Sequence, residues 1–165
     1  MSSSHPLRIA VASLPPEGLP WSGEVTAAAL GVPEDDRIRF ALPIRFTLRV
    51  SPVETEVLIE GQLRARLRCG CDRCLVTFET EVGTDEVCHL LALPEDGVID
   101  LTENVREDML LTLPSRCLCR EDCRGLCPQC GLDLNTGSCD CTAKRLSSDA
   151  WSALDGVRPA SRPRK

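Results

Sequence analysis

Val57-Leu58-Ile59-Glu60-Gly61-Gln62-Leu63-Arg64-Ala65-Arg66-Leu67-Arg68 runs directly into Cys69-Gly70-Cys71-Asp72-Arg73-Cys74. In the first twelve residues the odd positions are apolar or small and the even ones polar, with Leu58 as the one apolar exception. A period of two places successive side chains on opposite faces, so this stretch reads as a strand with one face on a core and three arginines on the other. The end of the stretch carries a second signal. Two cysteines separated by two residues can present two thiolates from one turn, as tetrahedral metal sites require.

The same alternation extends outward in both directions. Upstream, Ile44, Phe46, Leu48 and Val50 alternate with Arg45, Thr47 and Arg49, and Pro52 stands between the two runs, where a turn is expected. Downstream, Val76, Phe78, Thr80 and Val82 form a third run, so Cys71–Cys74 is expected in a tight turn between antiparallel strands. Pro94-Glu95-Asp96-Gly97 marks a loop. Asp100 followed by Glu103 has the spacing of a capping box, and Leu101, Val105, Met109 or Leu110, and Leu113 make a helical stripe that Pro114 ends. The expected class is α+β: an antiparallel β-sheet with one main helix at about 101–113 and a C-terminal Cys-rich zinc ribbon. Residues 1–36, rich in Pro, Gly and Ser, read as an irregular N-terminal segment. Residues 37–114 then hold sheet and helix, 115–142 the ribbon packed on the same domain, and 143–165 a short helix near Ser147–Leu154 with a basic tail.

The composition is that of an ordinary globular chain: 165 residues, 42% apolar and 27% charged. No apolar run approaches the roughly 18 residues of a membrane span, and Ile9–Ala12 is cut off by Pro15-Pro16 before it reaches the length of a signal-peptide core. A cytoplasmic location is expected. The net charge is −6; residues 142–165 contribute +4, which leaves an acidic body that does not resemble a protein coating nucleic acid.

Eleven cysteines all lie between Cys69 and Cys141. An odd number confined to one region fits metal ligation better than a disulfide framework. Segment 114–141 has only Leu118, Leu126, Leu132 and Leu134 as large apolar side chains, too few to offset the ordering of 28 residues. Eight cysteines fall into four close pairs: 71 with 74, 119 with 123, 127 with 130, and 139 with 141. Four pairs make two four-cysteine sites. Cys127-Pro128-Gln129-Cys130-Gly131, with Gly131 free to adopt a left-handed backbone, pairs naturally with Cys139 and Cys141, brought back by a turn at Asn135-Thr136-Gly137. By elimination Cys119 and Cys123 join Cys71 and Cys74. Disulfides or free thiols are the competing reading, and Cys71 with Cys74 could instead form a redox dithiol, although that motif is normally placed at a helix N-terminus. Cys69, Cys88 and Cys117 are read as spare thiols, and His89 as a possible substitute ligand.

Arg64, Arg66 and Arg68 share one strand face that could track a phosphate backbone; a solvated outer sheet face is the commoner explanation, and no Phe or Tyr stands beside them to stack bases. Arg73, Arg116, Arg120 and Arg124 lie among the ligands and could offset the two net negative charges of a zinc with four thiolates. His5 and His89 are far apart, no nucleophile, phosphate-loop or metalloprotease motif occurs, and a thiolate-saturated zinc leaves no position for a reacting water. No catalytic residue is assigned, and the chain is not expected to be an enzyme.

With these residues in view, the chain resembles the YceD family, the large ribosomal RNA subunit accumulation proteins of bacteria and plastids, from about residue 40 to 155. The resemblance rests on Cys71-Asp72-Arg73-Cys74-Leu75, on Ile99-Asp100-Leu101 with Leu110–Pro114, and above all on Cys119-Arg120-Glu121-Asp122-Cys123-Arg124-Gly125-Leu126-Cys127-Pro128-Gln129-Cys130-Gly131 with Leu134-Asn135 and Cys139-Asp140-Cys141. Ser148-Asp149-Ala150-Trp151 is similar to the family's Asp-Pro-Arg-Trp segment but lacks its Pro and Arg. The resemblance implies a ribosome-biogenesis factor needed for accumulation of 23S ribosomal RNA, with precursor 23S RNA or large-subunit assembly proteins as partners, two Zn2+ ions, no membrane and no small-molecule substrate. A thiol-redox protein and a zinc-ribbon adaptor of the transcription machinery are the alternatives.

Overall fold

The computed structural model describes residues 7–141, so the expected helix near Ser147–Leu154 and the basic tail lie outside the described residues. Two compact units divide the chain, Met1–Gly125 and Leu126–Lys165.

The first unit is an antiparallel sheet with one face covered. Its strands are β1 (Arg8–Ala10), β2 (Leu19–Val25), β3 (Ile38–Phe40), β4 (Ile44–Val53), β5 (Glu56–Gly70), β6 (Thr77–Ala92) and β7 (Val98–Asp100), followed by α1 (Thr102–Thr112). β5 is central: β4 and then β3 pair along one edge, β6 along the other, and β2 adds outside β4. β1 and β7 form a separate two-stranded ribbon. The alternation sends Ile44, Phe46, Leu48 and Val50 of β4 and Val57, Ile59, Leu63 and Ala65 of β5 into one core, joined there by Val105 and Met109 of α1 and by Ile9 and Ile99 of the ribbon. Trp21 meets Phe46 edge-on at 5.5 Å. Gly23 leaves the space the Phe46 ring fills, since a Cβ there would stand 2.7 Å from Cζ.

Antiparallel sheets, one α-helix among the described residues and a C-terminal cysteine cluster confirm the α+β reading. Four details differ from expectation. The stretch read as irregular before residue 37 contains β1 and β2; Leu19, Trp21, Gly23 and Val25 do alternate, but Pro20 and the glycine at an inward position disguise the strand. The β4–β5 turn falls at Glu54 and Thr55, because Pro52 lies inside β4 opposite Val57, beyond the last β2 pair at Val50 where no ladder needs its missing amide. β6 runs ten residues past Val82, through a register shift between Gly61 and Leu63 of β5 that reverses which of its side chains face inward. At α1 the first capped amide is that of Thr102, bonded to Asp100 Oδ1 at 3.0 Å, and the cap position itself is Leu101.

Candidate metal centres

The turn between β5 and β6 holds the first group. The Leu75 amide donates to the Cys71 carbonyl at 2.9 Å and the Cys71 amide to the Val76 carbonyl at 2.9 Å. Closing this loop puts Leu75 in the left-handed region, at φ 63°, where a side chain costs about 1–2 kcal/mol. The segment after Pro114 then folds against the turn. Asp72 and Cys117 exchange amide–carbonyl and amide–carboxylate bonds of 2.8 and 2.7 Å, and the Arg73 guanidinium donates to the Cys123 carbonyl at 2.7 Å.

These bonds bring Cys119 and Cys123 to Cys71 and Cys74, with all four sulfurs within 4.8 Å of one another. Cys71 Sγ lies 3.8 Å from Cys123 Sγ, and Cys74 Sγ 3.6 Å from Cys119 Sγ. A tetrahedral metal about 2.3 Å from each sulfur sets edges of about 3.8 Å, so both separations fit four thiolates around one ion, whereas a disulfide needs about 2.05 Å. Cys71, Cys74 and Cys123 are buried.

The second group lies wholly in the second unit. The Gly131 amide donates to the Cys127 carbonyl at 2.9 Å, and the Cys127 amide to the Leu132 carbonyl at 2.8 Å, with Gly131 at φ 73°. The Leu126–Asp133 bridge closes the loop. Asp133 Oδ1 then accepts both the backbone and the side-chain amide of Asn135, at 2.9 and 2.7 Å, starting the turn that returns the chain. Cys127, Cys130, Cys139 and Cys141 place their sulfurs within 4.8 Å of one another.

The electrostatics of both groups favour a cation. Burial opposes ionisation of Cys71, but the amides of Cys119, Cys74 and Arg73 point at its sulfur and bring it down to about 6. Cys119 is pushed up to about 12 by burial and by the sulfurs of Cys74, Cys123 and Cys71. In the second group the Cys130 and Gln129 amides lower Cys127 to about 6, while its contact with Cys130 and burial push Cys141 up to about 12. Each cluster thus favours one thiolate and resists further negative charge. A divalent ion at the centre removes that resistance.

The other named residues lie elsewhere. Cys69 and Cys117 are buried against Leu67, and burial followed by the Cys117 contact raises Cys69 to about 11. Cys88 is exposed. His89 belongs to neither group: its Nε2 is 2.8 Å from Asp108 Oδ2, and Asn104 Nδ2 is 3.5 Å from its Nδ1. Arg64 pairs with Asp85 and donates to the Thr84 carbonyl at 3.1 Å; Arg68 pairs with Glu79 at 3.0 Å; Arg66 is exposed and makes no ion pair among the described residues, since Glu81 opposite it is taken by Arg45. Arg120 pairs with Asp122 at 3.3 Å. The supports supplied by Asp72, Arg73 and Leu75 were not visible in the sequence, because the partners of Asp72 and Arg73 stand 45 and 50 residues away.

Residues 84–158 match the family model described as large ribosomal RNA subunit accumulation protein YceD. Over those residues the chain is similar to the YceD family. The match takes in the second cysteine group and, from the first, Cys119 and Cys123. Among the relatives, the uncharacterized protein ML1660 of Mycobacterium leprae is 33% identical, over 59% of this chain and 52% of its own length. Rv2926c of Mycobacterium tuberculosis is 34% identical over 53% and 49%. The large ribosomal RNA subunit accumulation protein YCED homolog 1, chloroplastic, of Zea mays is 32% identical over 51% and 28%. The chain therefore spans about half the length of the mycobacterial relatives it matches. No solved structure matches it. No helix among the described residues is long and apolar enough to cross a membrane.

Proposed function

We propose that this chain is a non-enzymatic, cytoplasmic ribosome-biogenesis factor that supports accumulation of the 23S ribosomal RNA of the large subunit. The observation that carries this reading is the family match over residues 84–158, joined by a plant relative whose name is that of a large ribosomal RNA subunit accumulation protein. Zinc is the metal we assign to both groups, since four thiolates at tetrahedral separations suit it and all-cysteine zinc sites are structural. Bound there, zinc supplies crosslinks between distant chain segments. The residues themselves do the positioning: knuckle amides aim at Cys71 and Cys127, Asp72 and Arg73 hold the incoming strand, and the sheet presents its outer face to RNA or to an assembly protein. Among the three candidate phosphate contacts Arg66 is the best placed, because Arg64 and Arg68 are engaged in ion pairs.

The redox reading of Cys71 and Cys74 has the poorer fit, for their sulfur neighbours are Cys123 and Cys119. Depleting the protein in its own cells tests the proposal. A fall in the ratio of 23S to 16S RNA is expected, and an unchanged ratio would overturn it.

A further inference from the structure

β6 is a sixteen-residue strand that pairs with β5 on one edge, and no strand among the described residues pairs with the other. The direction of its backbone follows from β5. The Arg66 carbonyl accepts the Ala41 amide at 2.8 Å and the Gly70 amide reaches the Arg37 carbonyl at 3.0 Å, so even-numbered residues of β5 face β3 and β4. Odd-numbered residues then face β6, and their partners there, from Phe78 to Leu91, are engaged with β5. Glu79, Glu81, Gly83, Cys88 and Leu90 turn their N–H and C=O groups to the open edge. A free edge of this length is a template for another extended chain unless something covers it.

Charge decides which chain. Between Thr77 and Leu113 ten carboxylates stand against a single arginine, Arg106; Glu79, Glu81, Asp85 and Asp100 pair with arginines of other strands, so the excess beside this edge rests on Glu86 and Glu107. A cleft of about 370 Å³ opens at the β6 bulge, lined by Gly83, Thr84, Glu86, Asp108, Leu111 and Thr112. Glu86 and Glu107 have no ion pair among the described residues, and Leu111 is 86% exposed one helical turn from Glu107. Edge-to-edge pairing with a second copy would set these carboxylates against their own kind, and an RNA backbone would meet the same repulsion.

We infer that the open edge of β6, with the acidic cleft beside α1, receives an extended Lys/Arg-rich protein segment by strand addition. Backbone bonds along Glu79–Gly83 or Cys88–Leu90 bind the segment, the carboxylates select its charge, and Leu111 gives an apolar contact. The inference deepens the assembly-factor reading by naming the chemistry of the partner, and it is tested apart from it, since the depletion assay does not depend on peptide binding.

The probe is a synthetic peptide alternating lysine and valine, with a glutamate–valine peptide and a single-stranded RNA oligonucleotide as comparisons, added to the full chain. The lysine peptide is expected to bind, to weaken as salt rises, and to slow amide exchange at Glu79, Glu81, Cys88 and Leu90. Glu81→Pro removes an outward amide while leaving the β5 ladder whole, and is expected to weaken binding about tenfold. Glu86→Lys with Glu107→Lys, both exposed, should do the same and keeps the test valid if the proline variant does not fold. Unchanged exchange along β6, equal binding of the glutamate peptide, wild-type affinity in the double charge reversal, or protection of this edge by RNA alone would each overturn the inference.

Discussion

Cys71–Val76 and Cys127–Leu132 are the same loop built twice on different foundations. In each, the amide after the second cysteine donates to the first cysteine's carbonyl at 2.9 Å, and the first cysteine's amide closes onto the carbonyl five residues on. Each needs a left-handed residue after the second cysteine. The second loop supplies Gly131, whereas the first supplies Leu75, 72% exposed and at φ 63°. The difference lies in what surrounds them. The first loop joins two long strands and is braced by Asp72 and Arg73, so the sheet imposes a conformation its sequence resists. The second has one β-bridge and an Asp133 turn, with Leu126 and Leu134 only half-buried and Leu132 41% exposed. Identical local geometry therefore carries unequal dependence on metal.

The largest expected effect follows from that inequality. Cys127→Ser, or chelation of the wild type, should abolish amide-exchange protection in residues 126–141 while leaving β4–β6 protected, because a structural zinc contributes about 10–16 kcal/mol in small peptides and little else supports this unit. Retained protection in 126–141 would break the comparison. Cys71→Ser should be milder, loosening residues 115–124 and lowering the melting temperature without unfolding the strands, whose core is independent of the cluster.

Asp72→Ala comes next. It leaves the Cys117 amide without its carboxylate partner, for a cost of about 1–3 kcal/mol in denaturant unfolding; the corresponding residue of the second loop, Pro128, makes no such bond, so Pro128→Ala should cost less. The smallest effects are opposite in sign. Leu75→Gly should stabilise the first unit by about 0.5–1 kcal/mol, the relief of a left-handed side chain less the entropy of glycine. Gly131→Ala should destabilise the second by about 1 kcal/mol, purely through its backbone, since a Cβ there meets nothing within 4 Å. Thiolate absorbance of the metal-free protein separates the two loops. Cys71, whose loop is held between β5 and β6, should ionise near pH 6, below the ordinary 9.0, whereas Cys127, lowered to about 6 only while its loop is folded, should return toward 9.0 once the metal is gone. The stability that the lowered Cys71 contributes is complete above pH 9 and lost as pH falls through 6.

Much of this was legible in the sequence. The alternation of β4 and β5 carries a single uninterrupted core face, and the four cysteine pairs have spacings that only a few turns satisfy, so strands and ligand grouping could be read together. Three things resisted. β2 hides behind Pro20 and Gly23, whose inward position makes sense only once the Phe46 ring is seen to occupy it. β6 changes the parity of its inward residues at the bulge, so that Val82 and Val87 both face the core side and His89 reaches Asp108. The arginine face looks uniformly basic along β5, yet Glu79, Glu81 and Asp85 come from β6, and the ion pairs of Arg68, Arg45 and Arg64 depend on a register no single strand reveals.

Metal content per chain, measured on the wild type, Cys71→Ser and Cys127→Ser purified under the same conditions, tests most directly that two separate four-thiolate centres exist. Two equivalents in the wild type and one in each variant are predicted. One equivalent or none in the wild type, or loss of both metals on either substitution, would contradict it.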